Sequence, residues 1–479
     1  MEGYKLFIKR MGLVSIANIL VVLNSIILIP ILTKNLPISD YGIWVQVNTT
    51  YYLVTGFTVL GLPYTMVRFL SAEKDVKKIQ EVFFSLLTIV IIASLIISIL
   101  LIYLSNIISL GLFGGNRDVV ILTALIIFFG SLNLFFIDYF RAFGRMKIYS
   151  LILIIQTYLS LGLVTYFTLT DKGIIIIVSG LLITQLLIAL FAIPLVITKI
   201  GLKIPKFTNI KEYLNFGLPT IPSNLSYWVV DSSDRYFIGF ILGAAFVGYY
   251  SPGYVLGAAI LIFFTPFAIM LPSTLPKYYD NGKLEEVNSV IKYSLKYFLL
   301  IAIPSVFVLS FLSHPILIII STPEIASNGY LVTPFIALSA ILMGTYGIFN
   351  NYLILKKKTK IVGGVLTVAA ILSLLNIVFI PYFGIIGAAA VTLISSIVAL
   401  FISLYYTLKY FKIDFDYIFT IKSVISSILI SAFIILINPK GITEIVFVII
   451  TSILIYSCSI WLLKGINKNE IKFFKNMMN

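Results

Sequence analysis

Five polar residues recur at steps of three or four in an otherwise apolar stretch: Asn224, Tyr227, Asp231, Asp234 and Arg235. On a helix this spacing lays them along one stripe. Charge on a lipid-facing helix is costly, so such a stripe is expected to line a wet cavity and to form a substrate or ion pathway. Two readings of Asp231 and Arg235 stay open. Either they form an i,i+4 ion pair that only neutralises itself, or Arg235 attracts an anionic group while an aspartate titrates or binds a coupling proton or Na+. Asp234 leaves one carboxylate over, which favours the second. Pro219 and Pro222, just before the stripe, are expected to kink the helix and free backbone carbonyls.

Other polar groups are scattered along the chain. Asp138, Arg141 and Arg145 are expected on one face at the cytoplasmic end of their helix, as ordinary basic decoration or as a mouth for diphosphate headgroups. Asn18, Asn24, Gln46, Asn48 and Asn350 are candidate cavity linings, with Thr49, Thr50, Asn351 and the tyrosines Tyr249, Tyr250 and Tyr254 beside them. Amides and aromatic faces suit sugars, and they equally tie helices together. Cys458 is alone and His314, in a Ser-His-Pro setting read as a helix end, is the only histidine. These counts leave no Cys or His metal cluster and no disulfide within the chain. Without a Gly-x4-Gly-Lys-Ser/Thr loop, direct nucleotide drive is not expected either. No cofactor, metal or catalytic residue is anticipated.

The elements that must position these residues follow from composition. Of 479 residues, 60% are hydrophobic and 11% charged, and the mean hydropathy is +1.08. Only lipid accommodates so many outward-facing apolar side chains, so the class is an all-α integral membrane protein. Apolar runs of about 20 residues fall near 11–33, 41–62, 82–105, 118–140, 148–169, 173–198 and 214–240. They continue near 245–272, 293–320, 327–354, 361–381, 384–408, 417–437 and 442–463, giving about fourteen spans. The first run shows no cleavage site and is expected to stay as a span.

Charge orients them. Of the 34 Lys and Arg, only Lys34, Arg117, Lys172, Arg235 and Lys440 fall on the outer side when the N-terminus is inside. Both termini are therefore expected in the cytoplasm, at the plasma membrane. The net charge of +15 has the same origin, and no basic–aromatic loop long enough to grip nucleic acid is present. The longest connections, near 199–213 and 273–292, are expected to be cytoplasmic. The second includes a short amphipathic helix at Lys283–Val287.

The chain also repeats. Gly12-Leu13 and Gly217-Leu218 are expected to open corresponding helices, and Gly42 and Gly248 to begin the next pair. Leu62-Pro63 and Leu271-Pro272 are expected to close that pair. Six helices lie between equivalent points, which makes the repeat parallel. The architecture expected is two six-helix lobes, 1–208 and 209–412, facing each other across a cavity, with an additional pair and tail at 413–479.

Two passages carry a family likeness: Pro30-Ile-Leu-Thr-Lys-Asn-Leu-Pro-Ile-Ser-Asp-Tyr-Gly-Ile-Trp44, and Asp234-Arg-Tyr-Phe-Ile-Gly-Phe-Ile-Leu-Gly-Ala-Ala-Phe-Val-Gly-Tyr-Tyr-Ser251. They resemble the Wzx-like polysaccharide flippases of the multidrug/oligosaccharidyl-lipid/polysaccharide (MATE-like) exporter superfamily. The resemblance implies a monomeric, non-enzymatic transporter that moves an isoprenoid diphosphate-linked oligosaccharide outward by alternating access. Its implied partners are membrane lipids and the glycosyltransferases or polymerase of the same pathway. A MATE-type cation-coupled exporter of small molecules is the alternative. An enzyme would need an outer acid pair, and Asp40, Asp118, Asp171, Glu324 and Glu444 are scattered one per connection.

Overall fold

The computed structural model describes residues 2–71, 73–411 and 415–465, and every regular element among them is helical. In chain order these are α1 (Glu2–Asn35), α2 (Ile38–Thr58), α3 (Leu62–Leu70), α4 (Val76–Tyr103), α5 (Ser105–Leu112), α6 (Arg117–Ala142), α7 (Met146–Leu169), α8 (Gly173–Ile200), α9 (Ile210–Gly217) and α10 (Ile221–Leu242). Then come α11 (Ala244–Ala258), α12 (Thr265–Asp280), α13 (Leu284–Ile320), α14 (Pro323–Gly329), α15 (Val332–Leu355), α16 (Thr359–Leu372), α17 (Asn376–Tyr410), α18 (Tyr417–Ile437) and α19 (Ile442–Leu462). Two compact units result: Met1–Trp228 with Arg235–Gly248, and Val229–Asp234 with Tyr249–Asn479.

Polarity is inverted relative to a water-soluble bundle. On α18, Ser423, Ser426 and Ser427 are fully buried, while Ile421, Ile425, Ile428, Leu429 and Leu436 are exposed. Small hydroxyls let helices approach and bond inside, and the outward Ile and Leu need an apolar solvent. Helices satisfy their own backbone groups, which is the condition for crossing hydrocarbon. Among the described residues, eleven helices are long and apolar enough to do so, or twelve if the bent pair α2–α3 is one span. The chain is a multi-pass membrane protein. The sequence pattern predicts fourteen spans, and the difference lies in two places. Helix α10 carries three charges. Thr359–Tyr410, 52 residues long, counts once although Gly384 breaks it at φ 60° and ψ −143°.

In the first unit α6 is central, packing against α2, α3, α4 and α8. Phe83 of α4 meets Phe135, Phe136 and Tyr139 of α6 at ring-centroid distances of 5.3, 5.8 and 5.5 Å. Helices α2 and α3 are bent by 48°. The bend passes through Leu60 and Gly61, both with positive φ. A Cβ on Gly61 would lie 2.3 Å from the Gly217 carbonyl oxygen, and the Thr65 hydroxyl donates to the Tyr213 carbonyl at 3.2 Å, so α9 is docked onto the break. Leu62-Pro63 therefore open α3 rather than close α2. Proline is favoured in a first turn because its missing N–H has no helical acceptor there.

In the second unit α15 packs on α17 and α13, and α13 packs on α18 and α19. Three expectations change here. Leu271-Pro272 lie inside α12, which continues to Asp280. The segment 283–287 is not a separate amphipathic helix but the start of the 37-residue α13. His314 and Pro315 also lie within α13, with the imidazole 5.4 Å from the Tyr330 ring. In a bilayer, neighbouring helices, hydroxyl side chains and local backbone adjustments absorb a proline that would end a soluble helix. Lys296 of α13, 7% exposed, is 2.9 Å from Asp416 and 4.8 Å from the Phe419 ring. Asp416 in turn caps α18 by accepting from Phe419 N at 3.0 Å.

Burial pushes the Asp416 carboxyl up, but the Phe419 N–H and the Lys296 ammonium outweigh it and hold it below 3.8. A carboxylate depressed by folding stabilises above its unfolded value, and that contribution is lost as pH falls through the folded one. Asp416→Asn should therefore lower thermal stability at neutral pH, with the deficit against wild type closing only below 3.8; a deficit independent of pH would refute the pairing. Gly61→Ala should cost about 1–3 kcal/mol, because alanine is strained at positive φ. Gly364→Ala, which lies inside α16 and meets nothing within 4 Å, should keep or raise the melting midpoint, because alanine is the better helix former; equal midpoints for both variants would contradict the tight break.

Candidate substrate pathway

Helix α10 begins after a 3-10 turn at Leu218–Thr220, with Pro219 and Pro222 at the two starts. Its uninterrupted run from Ile221 to Leu242 puts Asn224, Tyr227, Asp231, Asp234 and Arg235 on one face. Asn224, Tyr227 and Asp231 are exposed, whereas Asp234 and Arg235 are only 3% and 9% exposed. The stripe thus runs from an open half to a buried, charged half.

Within the second unit, tyrosines of α11 hold the aspartates. The Tyr250 hydroxyl donates to Asp234 Oδ2. Tyr254 donates to the Asp231 main-chain oxygen at 2.7 Å and reaches its Oδ1 at 3.4 Å, while the Ser232 hydroxyl donates to Asp231 Oδ2 at 2.8 Å. Tyr250 and Tyr254 therefore contribute their hydroxyls to α10, with ring centroids 5.7 Å apart.

Within the first unit, Gln46 Nε2 donates to the Arg235 carbonyl at 2.7 Å, and Tyr236 donates to Thr50 Oγ1 at 2.7 Å. Gln46 is fully buried, so it braces α10 rather than facing open space, and its Oε1 has no partner. Arg141 Nε pairs with the buried Asp138 at 3.0 Å, and its guanidinium lies 5.9 Å from the Tyr64 ring centroid. Arg145 is not on that face. Helix α6 ends at Ala142, Gly144 turns the chain at positive φ, and Arg145 is exposed as the residue that starts α7.

The remaining amides differ in setting. Asn18 is exposed and Asn24 half-buried on α1. Asn48 bonds back to the Trp44 carbonyl at 2.9 Å, and Asn351 to that of Gly347 at 2.9 Å. Asn350 donates to the Tyr346 hydroxyl at 3.4 Å. The side-chain oxygens of Asn24 and Asn350 are buried without a partner. The sequence reading missed a network joining Tyr51, Asn133, Gln156 and Gln185. The four residues lie on four different helices, so no spacing along the chain could reveal their meeting.

This multi-pass helical protein carries a charged, hydrogen-bonded face on α10. Comparison with known proteins places it further. The chain belongs to the polysaccharide biosynthesis protein family, which matches residues 7–276. It is 23% identical over 330 residues to the probable low-salt glycan biosynthesis flippase Agl15 of Haloferax volcanii, covering 66% of this chain and 69% of that one. The fold is like that of the lipid II flippase MurJ in an inward closed conformation, with a TM-score of 0.75, 18% identity, and 98% and 100% of the two chains covered. It is also like that of an inward-facing multidrug resistance MATE family transporter of the MOP superfamily, with a TM-score of 0.64, 14% identity, and 81% and 94% covered.

Proposed function

We propose that this protein is a flippase that carries an isoprenoid diphosphate-linked oligosaccharide from the cytoplasmic to the outer leaflet, by alternating access, for surface polysaccharide or glycan assembly. The charged face of α10 carries this reading, in a chain of the polysaccharide biosynthesis family. The physical task is the headgroup. Each unsatisfied hydroxyl costs roughly 2–7 kcal/mol in an apolar medium, so a glycan cannot cross hydrocarbon unaided. Asn224, Tyr227 and Asp231 offer hydrogen bonds in place of water, and Arg235 offers the positive charge that a diphosphate needs. Asp231 or Asp234 would bind the coupling proton or Na+.

The lipid tail has a different requirement. In the second unit an apolar cavity of about 900 Å³ is lined by Ile260, Phe263, Pro304, Ile449, Ile453 and Trp461, among others. Its size and lining suit a hydrocarbon chain.

The topology that goes with this function is fourteen crossings, in lobes 1–208 and 209–412 plus the pair in 413–479. At 1.5 Å per residue a 52-residue helix is far longer than the ~30 Å hydrocarbon core, which supports two crossings either side of Gly384. Lys and Arg distribution supports cytoplasmic termini in the plasma membrane. We infer a monomer working beside the glycosyltransferases or polymerase that make and consume its cargo. The fold likeness to MATE transporters is what favours the second reading, small-molecule export.

In proteoliposomes carrying a fluorescent lipid-linked oligosaccharide, wild type should flip the lipid well above empty vesicles. Folded Arg235→Ala should do so at least about tenfold more slowly, a loss of about 1.4 kcal/mol or more. An unchanged rate in the variant removes Arg235 from the mechanism, and no wild-type flipping rejects the flippase reading.

A further inference from the structure

Four helices of the first unit each bring one polar side chain to a common point near mid-helix. These are Tyr51 of α2, Asn133 of α6, Gln156 of α7 and Gln185 of α8. Asn133 Nδ2 donates to both the main-chain oxygen and the Oε1 of Gln185, at 2.8 and 2.7 Å. Gln156 Nε2 approaches the same Oε1 at 3.4 Å, and Gln185 Nε2 donates to the Tyr51 hydroxyl at 3.3 Å. Behind Tyr51 stands Gly130, where any Cβ would lie 2.4 Å from the ring. The next residue, Tyr52, is 64% exposed and its ring sits edge to face with Tyr51 at 5.2 Å.

The cluster is layered. Asn133 and Gln185 are 1% and 5% exposed and form a fixed backing. Gln156 and Tyr51 are half-buried and Tyr52 is open, so these three form the reachable front. A network serving only to tie helices together would be expected to satisfy itself, because an unpaired acceptor in hydrocarbon is costly. Here Asn133 Oδ1 is buried without a partner, and the half-buried Tyr51 hydroxyl is hydrogen-bonded by Gln185 and by Gln156 at the front of the cluster. The cluster is uncharged throughout. It cannot compensate a diphosphate, but neutral amides beside an aromatic face match the alternating hydroxyls and C–H faces of a sugar ring.

We propose that Tyr51, Tyr52 and Gln156 form a sugar-binding subsite in the first unit, oriented by Gln185 and Asn133. It rests on the flippase reading and adds to it a contact for the glycan alone, separate from the charged face of α10. A sugar ring stacks on Tyr52 while its hydroxyls exchange hydrogen bonds with Gln156 and the Tyr51 hydroxyl. Gln185 and Asn133 are positioning residues.

The test is binding to the full chain in lipid nanodiscs, with two probes. One is the lipid-linked oligosaccharide pool extracted from the source cells; the other is farnesyl diphosphate, which carries no sugar. Gln156→Ala and Tyr52→Ala should each weaken the glycan-bearing lipid about tenfold, the scale of one lost contact, and leave farnesyl diphosphate within about twofold. Tyr52→Phe, which keeps the ring face, should retain wild-type affinity for both. Equal loss for the two probes, or no loss with properly folded variants, overturns the subsite while leaving the flippase reading intact. Wild type that binds the extracted pool no better than farnesyl diphosphate overturns both.

Discussion

Hydrocarbon forms no hydrogen bonds, and nearly every feature of this protein follows from that constraint. It requires that backbone groups close their own bonds, so helices run uninterrupted for up to 37 residues, as α13 does. It also inverts the usual sorting of side chains. Serines occupy the buried seam of α18 while isoleucines face out. The same rule makes each polar group inside the bundle informative, because each must be satisfied locally or be used.

Most of these groups are satisfied by the nearest carbonyl. Thr49, Thr123, Thr168 and Thr184 each bond the main chain one turn back, which costs little and reveals little. A second set reaches across helices and builds geometry: Gln46 to the Arg235 carbonyl, Tyr250 to Asp234, Lys296 to Asp416. A third set keeps an oxygen unpaired in the interior, including Asn24, Asn133 and Asn350.

Close helix approach is the other recurring device, and glycine makes it available. A Cβ on Gly42 would lie 1.8 Å from the Ala244 carbonyl oxygen, and one on Gly248 would lie 2.6 Å from that of Ile38. These two glycines are among the landmarks from which the sequence suggests a repeat. In the fold of the first unit they belong to one contact, between the starts of α2 and α11, where backbones meet without room for side chains. Their placement has a packing cause that spacing alone does not disclose.

Membrane residence, helical class and the polar stripe of α10 were legible from the residues themselves. Hydropathy and the 3.6-residue repeat are local properties, and an apolar solvent leaves helix as nearly the only answer. What the tertiary structure decided was everything depending on a neighbour from elsewhere in the chain. Leu62-Pro63 starts a helix because the break before it docks on α9, and residues 283–287 join α13 instead of lying apart. Arg145 falls beyond the end of α6. The Tyr51–Gln185 network and the Lys296–Asp416 pair unite residues more than a hundred positions apart. Such contacts leave no period in a linear pattern, because a hydrogen bond across helices requires only one suitable residue on each, set at matching depth by packing.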